Sequence, residues 1–130
     1  MIISCLCVIK DLDHGLLIES LKNFSAVFGK QIPVIDGKRI TSRYIWKHFG
    51  DKKEENMFSS MENRYFLHNA FSFYKKETLL KFKFDENLSG KEDRYWAIEI
   101  RKNNMNFLYD PSHSVYHHYT TDGNTWKGIG

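Results

Sequence analysis

Two apolar stretches of strand length, IISCLCVI (residues 2 to 9) and SAVFGKQIPVI (residues 25 to 35), flank one amphipathic stretch, and this pattern constrains the fold most. An unbroken apolar run is what a strand covered on both faces requires, as in a parallel sheet. Between the two, DLDHGLLIESLKNF places Leu16, Leu17, Leu21 and Phe24 at helical spacing. Asp11 and Asp13 stand near its start, where acids complement the helix dipole. The second strand is expected to end at Pro33, with a turn at Asp36-Gly37. Strand, helix, strand of this length predicts one βαβ unit and an α/β fold.

The remainder is shorter in period. Tyr44, Ile45, Trp46 and Phe49 suggest a short amphipathic helix, and DKKEEN (51 to 56) reads as a polar loop or exposed turn. YFLHNAFSFY continues as a strand through Tyr74 into a short helix. Glu92 to Asn103 is a helix, and NFLYDPSHSVYHHY gives two strand-like pieces around Asp110-Pro111. No repeat or linker divides the chain, so residues 1–130 are expected to form a single domain.

Composition narrows the function classes. Aromatic residues make up 15% of the chain, which supplies either core packing or platforms for flat ligands such as sugars. The net charge of +3 comes from lysines and arginines interleaved with acids. No basic stripe of the kind nucleic-acid binding needs is present, and at most peripheral membrane contact is expected. Cys5 and Cys7 have no distant cysteine to pair with, so free thiols in a reducing, cytoplasmic setting are expected. MIISCLCVI lacks a basic leader and a cleavage site, and no segment reaches membrane-spanning length.

Chemistry concentrates in GKEDRYWAIEI (90 to 100), where Asp93 shares the helical face of Trp96, Ala97 and Ile100. An acid on a face that buries itself either interacts with first-turn N–H groups or does chemistry. Glu92 diverges from Asp93 by ~100° and serves as an acceptor-orienting group or an exposed helix acid. Trp96 is a core residue or a sugar platform, and Arg94 reads as a surface residue. Gln31 and Asn69 are amides near strand ends, where open α/β sheets place ligands; backbone contacts are the alternative. Lys75 and Lys76 meet a diphosphate or start a solvated helix. His117 shares a strand face with His113, Val115 and Tyr119, and either approaches a phosphate or metal or is a hydrogen-bonded structural histidine. Trp126 and Lys127, in the glycine-rich GNTWKGIG, form a flap over ligand or part of a disordered tail.

Five pieces in order resemble glycosyltransferase family 2, its rhamnosyltransferase-like members most. Gly29-Lys30-Gln31-Ile32-Pro33 resembles the family's Gly-(Arg/Lys)-Gln-x-Pro strand end, and Asn69-Ala70 with Lys75-Lys76 its Asn-Ala strand and basic pair. Phe84-Asp85-Glu86 and Glu92-Asp93-Arg94-Tyr95-Trp96-Ala97 are similar to Phe-Asp-Glu and Glu-Asp-x-x-Trp-Ala. Tyr109-Asp110-Pro111 with Val115-Tyr116-His117 is similar to Tyr-x-Pro…Val-x-His. The resemblance spans about 90 residues.

It implies a partial GT-A fold, a mixed sheet flanked by helices, lacking the N-terminal nucleotide-binding half. It implies inverting transfer of a sugar from a nucleotide-diphosphate donor to a glycan acceptor in surface polysaccharide synthesis. Asp93 is then the catalytic base; Glu92, Gln31, Asn69, Trp96 and Trp126 contact the acceptor; His117 approaches a divalent metal, Mg²⁺ or Mn²⁺. Where the family has its metal-binding Asp-x-Asp, this sequence has Cys5-Leu6-Cys7, and Asp11-Leu12-Asp13 reads as helix-start acids. The expectation is a truncated or split transferase, weakly active or inactive alone, completed by a separate donor-half chain or prone to self-association. A non-enzymatic carbohydrate-binding or scaffold module derived from the same fold is the alternative.

Overall fold

A central strand organises the molecule. The structure is a computed structural model that describes residues 1–35, 38–39, 44–85, 87–88 and 90–119. Its elements are β1 (Ile2–Ile3), β2 (Cys7–Asp11), α1 (His14–Asn23), β3 (Ala26–Ile35), β4 (Lys38–Arg39), a 3₁₀ turn (Tyr44–His48), β5 (Glu54–Glu55), β6 (Phe58–Ser59), β7 (Arg64–Tyr65), β8 (Phe71–Tyr74), α2 (Lys76–Lys81), α3 (Glu92–Lys102) and β9 (Phe107–Tyr119). The main sheet runs β1-β8-β3-β9-β2, with β4 on β3 and β5 on β9; β6 and β7 form a separate hairpin. It is mixed: β3 and β9 are parallel, the other pairs antiparallel.

Alternation along β3 and β9 separates two layers. Ala26, Phe28, Phe107 and Tyr109 join one apolar cluster with Trp96, Ala97 and Ile100 of α3. Val27 and Leu108 join the other, with Leu17 of α1. The sheet is thus flanked by α1 on one face and α3 with the 3₁₀ turn on the other. Among the described residues no helix is long and apolar enough to cross a membrane.

Several details differ from the sequence expectation. The apolar run 2–9 is broken into β1 and β2, because the chain turns at Ser4: its N–H donates to Ala70 and its carbonyl accepts from Cys7 N–H. β2 is an edge strand with Val8 and Ile9 exposed, so it is not a strand buried on both faces. It lies antiparallel to β9, which is parallel to β3, so β2 and β3 oppose one another and do not make a βαβ unit. Finally, Asp110-Pro111 does not split β9. Phe28 pairs with Tyr109 and Lys30 with Ser114, so residues 110–113 bulge from a continuous strand. Gly29 faces this bulge: a Cβ there would lie 2.6 Å from the His113 carbonyl oxygen.

Candidate functional site

Asp93 enters the structure one residue into α3, after Gly90, whose φ of 77° glycine adopts without strain. The stripe of 93, 96, 97 and 100 is buried throughout, with Asp93 3% exposed. Its carboxylate is held by three donors. Oδ2 accepts from the Asn69 N–H at 2.9 Å and from Arg94 Nη1 at 3.0 Å, and Oδ1 accepts from the Arg94 N–H at 2.8 Å. Burial pushes the Asp93 carboxyl above its ordinary value, partly opposed by the Arg94 charge and these N–H bonds. Asp93 borders a cavity of about 350 Å³ with Glu92, Asn69 and His68, closed on one side by Ile2 and Ile3 of β1.

Arg94, expected at the surface, is 2% exposed. Its guanidinium reaches past Asp93 to Glu62, with Nε to Oε1 and Nη2 to Oε2 both at 3.2 Å. It also lies 4.3 Å over the Phe66 ring, which in turn stacks on the His48 ring at 3.8 Å. Arg64 and Tyr44 add bonds to Glu62. Desolvation alone would push the Glu62 carboxyl up; the bonds and charges of Arg94 and Arg64 outweigh it and hold it at about 2. The His48 Nδ1–H donates to the Ile45 carbonyl, so Nε2 accepts from Ser59 Oγ, and burial keeps this ring below its ordinary pKa.

A second polar line leads away from the cavity. The Ala70 N–H can only donate, and it meets His68 Nδ1 at 3.1 Å, so that nitrogen is an acceptor. Gln31 must then present its NH₂ to His68, at 2.9 Å, which turns its Oε1 toward His117. His117 Nδ1–H donates to that oxygen at 3.2 Å, and Cys7 Sγ lies 3.3 Å from the same nitrogen. One backbone amide thus sets the direction of the whole chain. Burial lowers the pKa of both histidines, that of His117 to about 4 with the help of His118.

The structure brings Asp93, Glu92 and Asn69 to one cavity. Gln31 stands behind it through His68, and His117 one bond further. Asn69 Oδ1 accepts from Ser72 Oγ and Tyr74 Oη, while its Nδ2 donates to no described residue. Trp96 does not border this cavity; it is packed under α3, its indole N–H on the Phe82 carbonyl. Trp126 lies outside the described residues. Asp13 caps α1 through the Leu16 N–H, and Asp11 closes β2.

Arg94, Glu62 and His68 were not among the expected site residues. A buried guanidinium is hard to find from one sequence, since its partner Glu62 lies 32 positions away. At His117, Nδ1 is engaged as a donor beside a thiol and an amide, which leaves Nε2, with its lone pair, as the ring atom that could meet a cation, whereas Mg²⁺ and Mn²⁺ take mainly oxygen ligands. Among the described residues no three His, Cys, Asp or Glu side chains gather as a metal group. In comparisons with protein-family models, curated proteins and solved structures, nothing matches this chain significantly.

Proposed function

We propose that these residues are the acceptor-side part of an inverting glycosyltransferase with a GT-A fold, acting in surface polysaccharide synthesis, with Asp93 as general base. The observation that carries the reading is the contact of two separate sequence pieces. Asn69 of Asn-Ala donates its N–H to Asp93 of Glu-Asp-x-x-Trp-Ala, at the wall of a cavity that Glu92 also borders. An ionised carboxylate offers about four acceptor positions. Three are taken by Asn69 and Arg94, which leaves one for an acceptor hydroxyl.

The step follows from that position. The hydroxyl proton passes to Asp93 as its oxygen bonds to the anomeric carbon. The anomeric C–O bond to the diphosphate breaks, and its electron pair leaves with the nucleoside diphosphate. A base whose carboxyl burial raises from its ordinary value is better matched to this proton transfer than an unperturbed one. Arg94 and the Asn69 N–H orient the carboxylate. The donor nucleotide is bound from outside these 130 residues, by a longer chain or a second one, and this segment alone is weakly active or inactive.

The test is a transfer assay with a panel of nucleotide-diphosphate sugars and glycan acceptors, using this chain joined to a donor half encoded beside it. Asp93→Asn should abolish transfer while glycan binding persists. Transfer at undiminished rate by that variant would falsify the assignment of the base. The three internal bonds on Asp93 also favour a second reading, a carbohydrate-binding module in which Asp93 only holds the loop at Asn69. Under that reading no sugar donor is consumed, and Asp93→Asn leaves glycan binding unchanged.

A further inference from the structure

Glu92 borders two spaces, the 350 Å³ cavity at Asp93 and a second, open groove of about 600 Å³ along the outer face of α3. The groove floor is a helical stripe, Glu92, Tyr95, Glu99 and Lys102, with the largely buried Trp96 also bordering it. The far wall follows α2 and brings Lys81, Lys83 and Asp85. From these features we infer that the groove binds a neutral oligosaccharide, whose first residue sits at Asp93 and whose following residues lie over Tyr95. This inference rests on the reading of the cavity as the acceptor site.

Three observations select this ligand class. Among the described residues the charged side chains lining the groove cancel: Lys81, Lys83 and Lys102 against Asp85, Glu92 and Glu99. A balanced set supplies donors and acceptors to hydroxyls but attracts neither a polyanion nor a polycation. Tyr95 is 47% exposed, an aromatic ring partly open to solvent in the middle of a polar stripe. Arg64 lies 6.0 Å from its centroid. Sugar rings present apolar C–H faces that stack on such a ring while their hydroxyls reach the charged rim. Finally, both spaces fall in the ~300–1,000 Å³ range of small-molecule sites. With Glu92 on both, a chain of sugars passes from one to the other without leaving polar contact.

The inference is tested on a glycan array printed with neutral, acidic and basic saccharides from one to six residues, probed with the wild-type chain, Tyr95→Ala and Asp93→Asn. Heteronuclear NMR of each variant confirms the fold. Wild type should favour neutral glycans of three or more residues over their monosaccharide at least tenfold. Tyr95→Ala should remove that gain and leave monosaccharide binding unchanged. Monosaccharide binding that shifts cavity resonances, with a length gain unaffected by Tyr95→Ala, overturns the groove and leaves the acceptor reading standing. A preference for acidic glycans overturns the neutral-ligand assignment. If no saccharide of any length shifts Asn69 or Asp93, the acceptor reading itself fails and takes this one with it.

Discussion

Asp93 and Arg94 are consecutive in sequence and paired in space, Oδ2 to Nη1 at 3.0 Å, with both side chains buried. Helix geometry turns neighbours ~100° apart, so the pair exists only because Arg94 folds back past Asp93 to reach Glu62. One guanidinium therefore serves two carboxylates, sharing Glu62 with Arg64.

Removing that guanidinium should be costly. Arg94→Met leaves Asp93 buried without a counter-ion and Glu62 with Arg64 alone, and loss of one partner from a buried pair destabilises by about 3–5 kcal/mol. Urea unfolding should register this loss, whereas Arg94→Lys, which retains a charge without the fork, should lose less. A change under ~1 kcal/mol for Arg94→Met would place Arg94 among ordinary surface residues.

The Arg94 case marks where the sequence stops being informative. The stripe of 93, 96, 97 and 100 is a local periodicity, and α3 and its buried face could be read directly from it. The partners of Arg94 at Glu62 and Phe66 belong to tertiary structure, which no local pattern encodes. The same holds for β2. Apolar content announces a strand at residues 2 to 9, but says nothing of its direction, and the break at Ser4 depends on a bond to Ala70. Asn69 could be named as an amide beside a strand, but Gln31, expected near a strand end at Pro33, lies inside β3, which runs on to Ile35. No local pattern shows that His68 joins it to the loop of Asn69.

Acid should weaken the fold through its histidines. Burial holds His48, His68, His113 and His117 below their ordinary pKa, His117 at about 4. At His113, Asp110 and Asp13 push the other way, while Lys53 and His14 reinforce burial. Groups depressed in the folded state protonate first in the unfolded chain. Their contribution is intact above an unfolded value of ~6.5 and is lost as pH falls through the folded values. Glu62, depressed to about 2, extends the loss to lower pH; Asp93, raised, offsets a part. Urea midpoints should fall steadily from pH 7 to pH 4, with ring NMR showing His117 titrating late. A flat profile, or a His117 that titrates at its ordinary value, refutes this.

Gly29 should not tolerate alanine. An added Cβ would meet the His113 carbonyl oxygen at 2.6 Å and a Phe71 ring carbon at 2.7 Å. The first is backbone of the β9 bulge and the second a fully buried ring, so neither yields cheaply. Overpacking of this kind costs about 1–3 kcal/mol, which thermal unfolding of Gly29→Ala measures directly. An unchanged midpoint would mean that the bulge moves freely.

The two thiols should differ in reactivity. Burial, with Cys5 nearby, pushes the Cys7 thiol up to about 12, against a hydrogen bond at Ser4, while Cys5 is exposed. The thiolate is the reactive species, so Cys7 is nearly silent at neutral pH. A thiol reagent should modify one group rapidly in the native protein and the second only on unfolding. Mass spectrometry should place the fast adduct on Cys5; equal labelling of both would show that the Cys7 site opens.

Self-association is expected at β2. This strand ends the sheet path, and among the described residues nothing pairs with its outer edge. Val8 is 57% and Ile9 41% exposed, so an open ladder of N–H and C=O groups lies beside two apolar side chains. Such an edge recruits another strand unless charge or proline blunts it. Lys10 and Asp11 are the charges present, and they pair with each other at 3.8 Å, which lessens their repulsion of an incoming strand. Sedimentation velocity should show a concentration-dependent dimer. Val8→Lys with Ile9→Lys should return it to monomer without altering the fold, because both side chains already face solvent. A wild-type monomer throughout the concentration series would count against the edge as an association site.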